Sequence, residues 1–430
     1  MTGPAERVLA AIEDDELVDV TAQLVRIPSV GGSAGEEQAQ RWMAERFEEA
    51  GLDVDCWDID LPATTADPAF PGQEVERTVA TGLVGRRRGT TADPSGANAR
   101  RVMLNGHVDV VPPGDVDAWS ADPYSGTVEG GRIYGRGSCD MKAGLVAALY
   151  AVRALRRAGV ELVADVSVAS VIGEEDGGLG TFATLRRGHT ADVCVIPEPT
   201  GLDVISACGG ALTFRIVVSG HAVHASRRAE GVSAIERFLP LFTALRRLEA
   251  DRNADVDPLM QRWDIAYPLE IGTLRAGDWP SSVPDLLVAE GRLGVALDEP
   301  PAEAQAALER AVREACRADP WLAEHPARVE WWGGQFDSGR LPAGSDLVER
   351  VSAASRAVLG TAPLNQGAPY GSDLRLMTRL GGVPTLHYGP GDAGRAHGPD
   401  EYVPVDEVLV TARVLALLLL DLAGGPDGHG

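Results

Sequence analysis

Lysine is nearly absent from this sequence, because Lys142 is the only lysine among 39 basic residues and all the others are arginines. Positive charge is also scarce overall, since 63 acidic side chains give a formal net charge of −24. Nucleic acids and anionic membrane surfaces are bound through clustered cations. The composition therefore argues against both as partners, and it raises the question of why position 142 keeps a lysine.

Cysteine is scarce as well, with five residues that are scattered along the chain and never spaced as Cys-x-x-Cys. An odd number without that spacing predicts reduced thiols in a cytoplasm rather than a disulfide framework or a zinc finger. No basic segment followed by an apolar core begins the sequence, so no signal peptide is expected. The longest apolar run, VLALLLLDLA, is too short to span a bilayer and predicts a terminal core helix.

What is present is a chain of 430 residues with a hydrophobic share of 44%, enough for two domains with ordinary cores. Apolar strands such as ADVSVASVIGEED alternate with amphipathic helices, which predicts an α/β sheet covered by helices. Charged residues follow these strands directly, at the edge where open α/β sheets place their sites. Residues 60 to 100, rich in Pro, Gly, Ala and Thr, are predicted as loop.

The middle of the chain has a different pattern. Residues 207 to 336 show the order strand, helix, strand, strand, helix, strand, which is the split βαβ unit of a small α+β sandwich. After residue 337 the pattern returns to helices and short strands. We therefore predict that residues 1–206 and 337–430 form one domain and that residues 207–336 are inserted into it.

Histidines and carboxylates follow the predicted strands of the first domain in five motifs. They are His107 and Asp109 in GHVDVVP, Asp140 in GRGSCDMKAG, Glu174 and Glu175 in GEEDGG, Glu198 in PEPT, and His397 in GPGDAGRAHGPDEYV. Each motif alone has an ordinary explanation, such as a strand-end hydrogen bond or a solvated face. Together, imidazoles and carboxylates are the ligand set of a divalent-metal site. The set is large enough for two metals, which need a carboxylate that bridges them.

These motifs, in this order, resemble those of the M20 metallopeptidases, and the resemblance extends from about residue 15 to about residue 420. The segments WSADPYSGTVEGGRIYGRGSCDMKAG and RRGHTADVCVIPEPT are most similar to the branch of acetylornithine deacetylase and succinyl-diaminopimelate desuccinylase. The resemblance implies a zinc-exopeptidase-like mixed α/β sheet flanked by helices. It also implies that the inserted α+β, ferredoxin-like unit is a lid and dimerisation domain.

The resemblance further implies two Zn²⁺ ions, for which Co²⁺ or Mn²⁺ are possible substitutes. His107 and Glu198 are expected to hold one ion, and Glu175 and His397 are expected to hold the other. Asp140 is expected to bridge the two ions. Members of the family typically have a cis peptide bond directly after this aspartate.

Other side chains receive roles from the same resemblance. Asp109 is expected to hydrogen-bond the far nitrogen of His107 and thereby fix its tautomer. Glu174 is expected to take a proton from the metal-bound water and pass it to the leaving nitrogen. His224, favoured over the nearby His221, is expected to reach the active site of a partner subunit and stabilise the oxyanion there.

The position of Lys142, two residues after the bridging Asp140, suggests why it is retained. A compact ammonium with three rotatable donors can fix carboxylates or backbone carbonyls around this turn. The planar fork of an arginine would not fit the same space. We therefore hypothesise that Lys142 supports the metal cluster.

Candidate substrate-binding residues lie in two parts of the chain. Arg292 in SSVPDLLVAEGRLG matches an arginine that can pair with a substrate carboxylate, although Ser282 stands where many relatives have asparagine. Arg375 in YGSDLRL is a second candidate, and a structural salt bridge is the alternative for both arginines. Gly389 and Gly391 are expected to bring backbone amides close to the substrate.

The sequence thus predicts a zinc-dependent amidohydrolase in which a dimetal-bound hydroxide cleaves a small N-acyl amino acid or related N-acyl amine, as acetylornithine deacetylase does. The alternatives are a di- or aminopeptidase or an N-formyl-aminopyrimidine deformylase on the same scaffold, and a metal-free, non-catalytic binding protein. A cytoplasmic homodimer formed through residues 207–336 is expected. No nucleic-acid or membrane partner is expected.

Overall fold

A computed structural model gives the structure of the chain and describes residues 3–91 and 99–424. The strands are β1 (Asp53–Asp58), β2 (Thr81–Arg87), β3 (Val102–His107), β4 (Thr127–Glu129), β5 (Arg132–Tyr134), β6 (Val166–Val171), β7 (Val193–Ile196), β8 (Val204–Cys208), β9 (Gly210–Ser219), β10 (Leu269–Ala276), β11 (Leu286–Val295), β12 (Arg328–Phe336), β13 (Gly339–Arg340), β14 (Asn365–Ala368), β15 (Thr385–His387) and β16 (Tyr402–Pro404). The α-helices are α1 (Pro4–Ala10), α2 (Asp14–Val25), α3 (Ala34–Glu49), α4 (Leu61–Thr65), α5 (Ala143–Arg157), α6 (Leu179–Arg186), α7 (Ala234–Arg252), α8 (Pro301–Ala318), α9 (Pro320–Glu324), α10 (Leu347–Leu359) and α11 (Val405–Ala423).

The larger sheet is mixed and has nine strands, in the order β1-β2-β6-β3-β7-β15-β8-β13 with β14 paired to β8. Its central strands β6, β3 and β7 run parallel to one another. Successive residues of these strands belong to two apolar clusters, with Leu104 and Val168 in one and Met103 and Ala169 in the other. Because the strands are buried on both faces, their sequences are nearly continuous apolar runs.

Helices α5 and α11 pack against each other within the larger of these clusters. The run VLALLLLDLA forms the buried C-terminal half of α11, as predicted for a terminal core helix. No helix in residues 3–91 and 99–424 is long and apolar enough to cross a membrane. All five cysteines are free thiols, and the cytoplasmic location stays a prediction.

A second, separate sheet has the order β10-β11-β9-β12 and is antiparallel throughout. Helices α7 and α8 cover one of its faces and share its apolar core. The chain order β9-α7-β10-β11-α8-β12 is the predicted split βαβ unit, and the chain then re-enters the larger sheet through β13. The predicted fold class, a mixed α/β sheet with an inserted α+β unit, is confirmed. The domain boundaries after residues 206 and 336 stay predictions.

The prediction of loop for residues 60 to 100 is wrong in part, because α4 and β2 lie in this range and β2 pairs with β1 and β6 in the larger sheet. Residues 92–98 of the range lie outside the described structure. The strand was missed because TGLVGRR contains two glycines, which are depleted in strands. Both are needed for packing, since a Cβ on Gly82 would lie 2.2 Å from the Trp57 ring and one on Gly85 would lie 2.6 Å from the Phe47 ring.

Candidate metal centre

Three neighbouring parallel strands bring candidate ligands to one edge of the larger sheet. His107 is the last residue of β3, Glu174 and Glu175 follow β6, and Glu198 follows β7. The carboxyl ends of parallel strands meet at the same edge, so these side chains converge although they are far apart in the sequence. The other two candidates come from loops, one before α5 and one between β15 and β16.

Asp140, from the loop before α5, lies between the two histidines. Its Oδ1 atom is 3.1 Å from Nε2 of His107, and its Oδ2 atom is 3.5 Å from Nε2 of His397. Glu198 Oε1 lies 3.9 Å from His107 Nε2, and Glu175 Oε2 lies 3.1 Å from His397 Nε2. Asp140 thus separates one histidine–glutamate pair from the other, which is the arrangement of a bridging ligand. The peptide bond after Asp140 is cis, as the resemblance implies.

Asp109 holds the second nitrogen of His107 through its backbone carbonyl oxygen rather than through its carboxylate. His107 Nδ1 donates to the Asp109 carbonyl oxygen at 2.9 Å, whereas the carboxylate Oδ1 lies 3.7 Å away. The carboxylate instead accepts a hydrogen bond from the Glu175 N–H at 3.1 Å. A carbonyl oxygen only accepts, so Nδ1 carries a proton and Nε2 faces Asp140. The Asp109 carbonyl oxygen therefore fixes the tautomer of His107 in this structure.

Glu174 lines a cavity of about 220 Å³ together with Asp140, Glu198 and His397. Its side chain is buried, and burial raises the pKa of its carboxyl well above the ordinary value. One carboxylate oxygen of Glu174 lies within 4.8 Å of ligand atoms of His107 and Glu198. A buried carboxyl that binds a proton readily beside such ligands is suited to acid–base chemistry.

The charges at this site test whether cations fit it. Although burial opposes the change, the hydrogen bond with Asp140 raises the pKa of His107 well above its ordinary value. Hydrogen bonds with Asp140 and Glu175 raise the pKa of His397 to about 11. Burial raises the pKa of Glu198 well above its ordinary value. Carboxylates that lie close together raise one another's pKa, so in the absence of a cation the site retains protons. Divalent cations would neutralise the same negative charge, and two imidazoles with three carboxylates are an ordinary donor set for them.

Lys142 is fully buried and fastens the loop that carries Asp140 to the end of α2. Its Nζ atom donates to the carbonyl oxygens of Leu24 at 3.1 Å and Ile27 at 2.7 Å. Leu24 is in the last turn of α2 and Ile27 is two residues beyond the helix, so the ammonium group adds a charged donor to carbonyl oxygens at and just after the helix end. Of the two kinds of partner that the hypothesis allowed, the structure shows backbone carbonyls.

Glu401 is a supporting residue that the sequence prediction missed. Its buried carboxylate accepts hydrogen bonds from the N–H groups of Cys139 at 3.0 Å and Asp140 at 3.2 Å, and it pairs with Arg136. It therefore ties the loop of His397 to the backbone of the central aspartate. Its place in HGPDEYV, four residues after the histidine, is the signal that would have found it.

Arg77 was also missed, and it supports the loop of Glu174 and Glu175. Its buried guanidinium makes two contacts with Glu36, both at 3.0 Å, and two with Asp176, at 2.8 and 2.9 Å. Asp176 directly follows the glutamate pair in the sequence. Bidentate contacts on two sides fix the guanidinium and both carboxylates. Arg77 lies in the segment predicted as loop, where no local pattern distinguishes it from a solvated arginine.

Both arginines predicted to bind substrate are engaged within the chain. Arg292 Nη2 donates to Glu74 at 2.9 Å, so the salt-bridge alternative describes it in this structure. Arg375 is buried, and its Nη atoms donate to the carbonyl oxygens of Ser372 at 2.8 Å and Gly177 at 2.7 Å. A role of either residue in substrate binding stays a prediction.

The amides of Gly389 and Gly391, expected to face the substrate, have partners inside the chain. Gly389 N–H donates to Thr200 Oγ1 at 3.0 Å, and Gly391 N–H donates to Glu407 at 2.7 Å. A Cβ on Gly389 would lie 2.4 Å from the carbonyl oxygen of Glu198. In the structure this glycine therefore allows close approach to a ligand-bearing loop.

His224 lies at the inserted unit, where its side chain is exposed and its Nδ1 atom is 2.7 Å from the Ser226 hydroxyl. Within the described residues, no hydrogen bond or ion pair joins it to the metal centre. The expected role requires a second subunit, so it stays a prediction.

A mixed α/β sheet with two histidine–glutamate pairs around a shared aspartate defines a metal-dependent hydrolase. Residues 103 to 421 match the family described as Peptidase family M20/M25/M40. The chain belongs to this family, whose members are metal-dependent amide hydrolases and typically use zinc. The resemblance found in the sequence is confirmed.

Individual relatives extend this result. The chain is 26% identical to the N-formyl-4-amino-5-aminomethyl-2-methylpyrimidine deformylase of Halalkalibacterium halodurans, over 97% of each protein. It is 30% identical to the succinyl-diaminopimelate desuccinylase of Afipia carboxidovorans, over 73% of this chain and 80% of the relative. Human carnosine dipeptidase 1 has a similar fold, with a TM-score of 0.76 at 16% identity over 98% of this chain and 99% of that one. The M20 family metallo-carboxypeptidase of Sulfolobus solfataricus has a TM-score of 0.73 at 16% identity, over 94% and 98% respectively.

Proposed function

We propose that this chain removes a small acyl group from an amine by hydrolysing the amide bond, with Glu174 as general acid and base beside two Zn²⁺ ions. The observation that carries the proposal is the position of Asp140, whose carboxylate oxygens face His107 on one side and His397 on the other. A carboxylate shared between two ligand pairs supports a two-metal site.

The remaining ligands would be His107 and Glu198 on one ion and His397 and Glu175 on the other, which the histidine–glutamate distances support. Divalent cations at such a site act as Lewis acids and lower the pKa of water. Glu174 takes a proton from the attacking water at its carboxylate and returns it to the leaving nitrogen. Burial raises the pKa of Glu174, which lets the carboxyl hold that proton between the two transfers.

The substrate we propose is a small N-acyl amine. The cavity beside Glu174, about 220 Å³, suits a small acyl group. The names of two relatives, a deformylase and a desuccinylase, describe removal of such groups. Deformylation is the first reaction to test, because similarity to the deformylase covers 97% of the chain. The acetylornithine deacetylase-like specificity expected from the sequence is a second arm of the same test.

We also propose a cytoplasmic homodimer formed through the inserted unit. Helix α7 exposes Ile235, Leu239 and Phe242, which are four and three residues apart and therefore share one helix face. Exposed apolar stripes of this kind mark interaction surfaces. A dimer through this unit is the arrangement in which His224 of the partner subunit can complete the site.

The test is hydrolysis of N-formyl, N-acetyl and N-succinyl amines and of dipeptides by the chain loaded with Zn²⁺, Co²⁺ or Mn²⁺. We expect release of free amine from an N-acyl substrate, loss of activity on chelation, and a fall of at least about 10²-fold in Glu174→Gln. Glu161→Gln, at an exposed carboxylate, serves as the control and should not change the rate. Preference for dipeptides would indicate a peptidase instead. No hydrolysis with any metal would favour the non-catalytic binding protein.

A further inference from the structure

We propose that Glu74 is a specificity residue, because it occupies Arg292 and so selects substrates whose amine portion carries no carboxylate. This inference rests on the proposed amide hydrolysis and names the class of amine involved. It begins with a contrast between sequence and structure. Arg292 is the arginine expected to pair with a substrate carboxylate, yet the structure gives it a carboxylate from the chain itself.

Glu74 is bound to two neighbouring strands of the inserted unit. Its Oε1 atom accepts hydrogen bonds from Arg292 Nη2 at 2.9 Å and from the Thr213 hydroxyl at 2.7 Å. Thr213 on β9 and Arg292 on β11 are directly opposite each other in the ladder. A carboxylate from outside the sheet is therefore held between two adjacent donors.

The segment that carries Glu74 is fixed from the other side by the metal-bearing domain. Asp176 Oδ2 accepts hydrogen bonds from the backbone N–H groups of Glu74 at 3.1 Å and Val75 at 2.9 Å, and Asp176 is itself held by the buried Arg77. A Cβ on Gly333 would lie 2.5 Å from Glu74 Cγ, so this glycine leaves room for the side chain. Partly exposed ion pairs add only about 0–1 kcal/mol of stability. The additional contacts that hold Glu74 against Arg292 therefore indicate a functional role of the pair rather than a contribution to stability.

The segment of Glu74 contacts the loop that carries the acid–base residue. Asp176, which binds the Glu74 backbone, is two residues after Glu174 in the sequence. The ring of Phe336 also connects the two regions, since Arg375 Cζ lies 3.9 Å and Arg292 Cζ 5.4 Å from its centroid. Glu74 and Phe336 thus connect the arginine expected to recognise a carboxylate with the loop of Glu174 and with Arg375.

Charge at this point disfavours a carboxylate on the substrate. Both Nη atoms of Arg375 donate hydrogen bonds to carbonyl oxygens, and Glu74 balances the charge of Arg292. A substrate carboxylate at Arg292 would meet the negative charge of Glu74, and such like-charge contacts reject ligands effectively. The class of substrate is therefore an acylated amine that is neutral or basic in its amine portion.

The test uses two substrates that differ only by one carboxylate, acylated benzylamine and acylated L-phenylglycine, each with the acyl group that the panel identifies. The wild-type chain should prefer the benzylamine derivative by at least about tenfold in kcat/KM, because one hydrogen-bonded charge contact decides the difference. Glu74→Gln should shift this ratio about tenfold toward the phenylglycine derivative, mainly through KM. Adding Arg292→Gln should abolish the shift.

Glu290→Gln is the matched control, because it removes the partner of Arg215 in the same sheet and should leave the ratio unchanged. Calorimetry with both compounds in a Glu174→Gln background measures binding without turnover, and adding Glu74→Gln should increase the affinity for the phenylglycine derivative. If no amide is hydrolysed, the proposed function fails and calorimetry alone decides on Glu74.

A folded Glu74→Gln chain with an unchanged ratio and no gain in binding would overturn the inference. So would wild-type preference for the phenylglycine derivative, or binding of neither compound by any variant. If Glu74→Gln does not fold, Glu74→Ala takes its place. It should shift the ratio toward the phenylglycine derivative by about tenfold, and a folded Glu74→Ala chain with an unchanged ratio would overturn the inference.

Discussion

Lys142 and Asp140 lie two residues apart in one loop and have different partners. The Asp140 carboxylate faces two histidines, whereas the Lys142 ammonium donates to one carbonyl oxygen in the last turn of α2 and one just after it. The space around Lys142 is tight, since a Cβ on Gly137 would lie only 3.3 Å from its Cδ. A chain that uses arginine elsewhere keeps a lysine here because a larger, planar group would have to displace these neighbours.

Lys142→Arg should therefore lower the free energy of unfolding by about 1–3 kcal/mol, the usual cost of overpacking a buried site. It should also lower zinc occupancy, because the loop that carries Asp140 would move. Urea denaturation and metal analysis measure the two effects. Arg157→Lys, at an exposed position, is the control. Wild-type stability with unchanged zinc occupancy would contradict this account of Lys142.

The loop after β6 is held in place by residues from other elements. Its glutamates follow an apolar strand, a pattern that the sequence displays directly. The support of this loop does not show in the sequence, because Arg77 comes from the segment predicted as loop and Glu36 comes from α3. Local periodicity carries no information about such long-range ion pairs, so they were not predicted.

Arg77→Met should destabilise the chain by about 3–5 kcal/mol, because it leaves the buried carboxylates of Glu36 and Asp176 without their partner. The measurement is the free energy of unfolding in urea. Arg187→Met removes an exposed pair with Asp55 and should cost at most about 1 kcal/mol. Equal costs for the two variants would show that the buried network does not stabilise this loop.

For the whole molecule, the sequence predicted both sheets and brought the metal-site candidates together, because apolar strands that end in polar residues specify one sheet edge. The prediction from sequence failed for residues whose role depends on a contact with a residue distant in the sequence. β2 was missed because its glycines fit the rings of Trp57 and Phe47. The amides of Gly389 and Gly391 were assigned to a substrate, although side chains distant in sequence accept their hydrogen bonds.

The proposed dimer is a property of the whole molecule and depends on the apolar stripe of α7. Leu239→Asp places a charge in the middle of that stripe and should convert a dimer into monomers in sedimentation experiments. Leu364→Asp is the control, since Leu364 is also exposed but lies outside the inserted unit. A wild-type monomer, or a dimer that survives the change at Leu239, would contradict the proposal.

The central claim is that distant parts of the chain hold two cations around one aspartate. Anomalous X-ray diffraction at the zinc edge, on crystals of the zinc-loaded chain, tests this claim most directly. The account predicts two peaks about 3.5–4 Å apart, one on each side of the Asp140 carboxylate. A map with no peak between His107 and His397, or with zinc bound elsewhere, would contradict it.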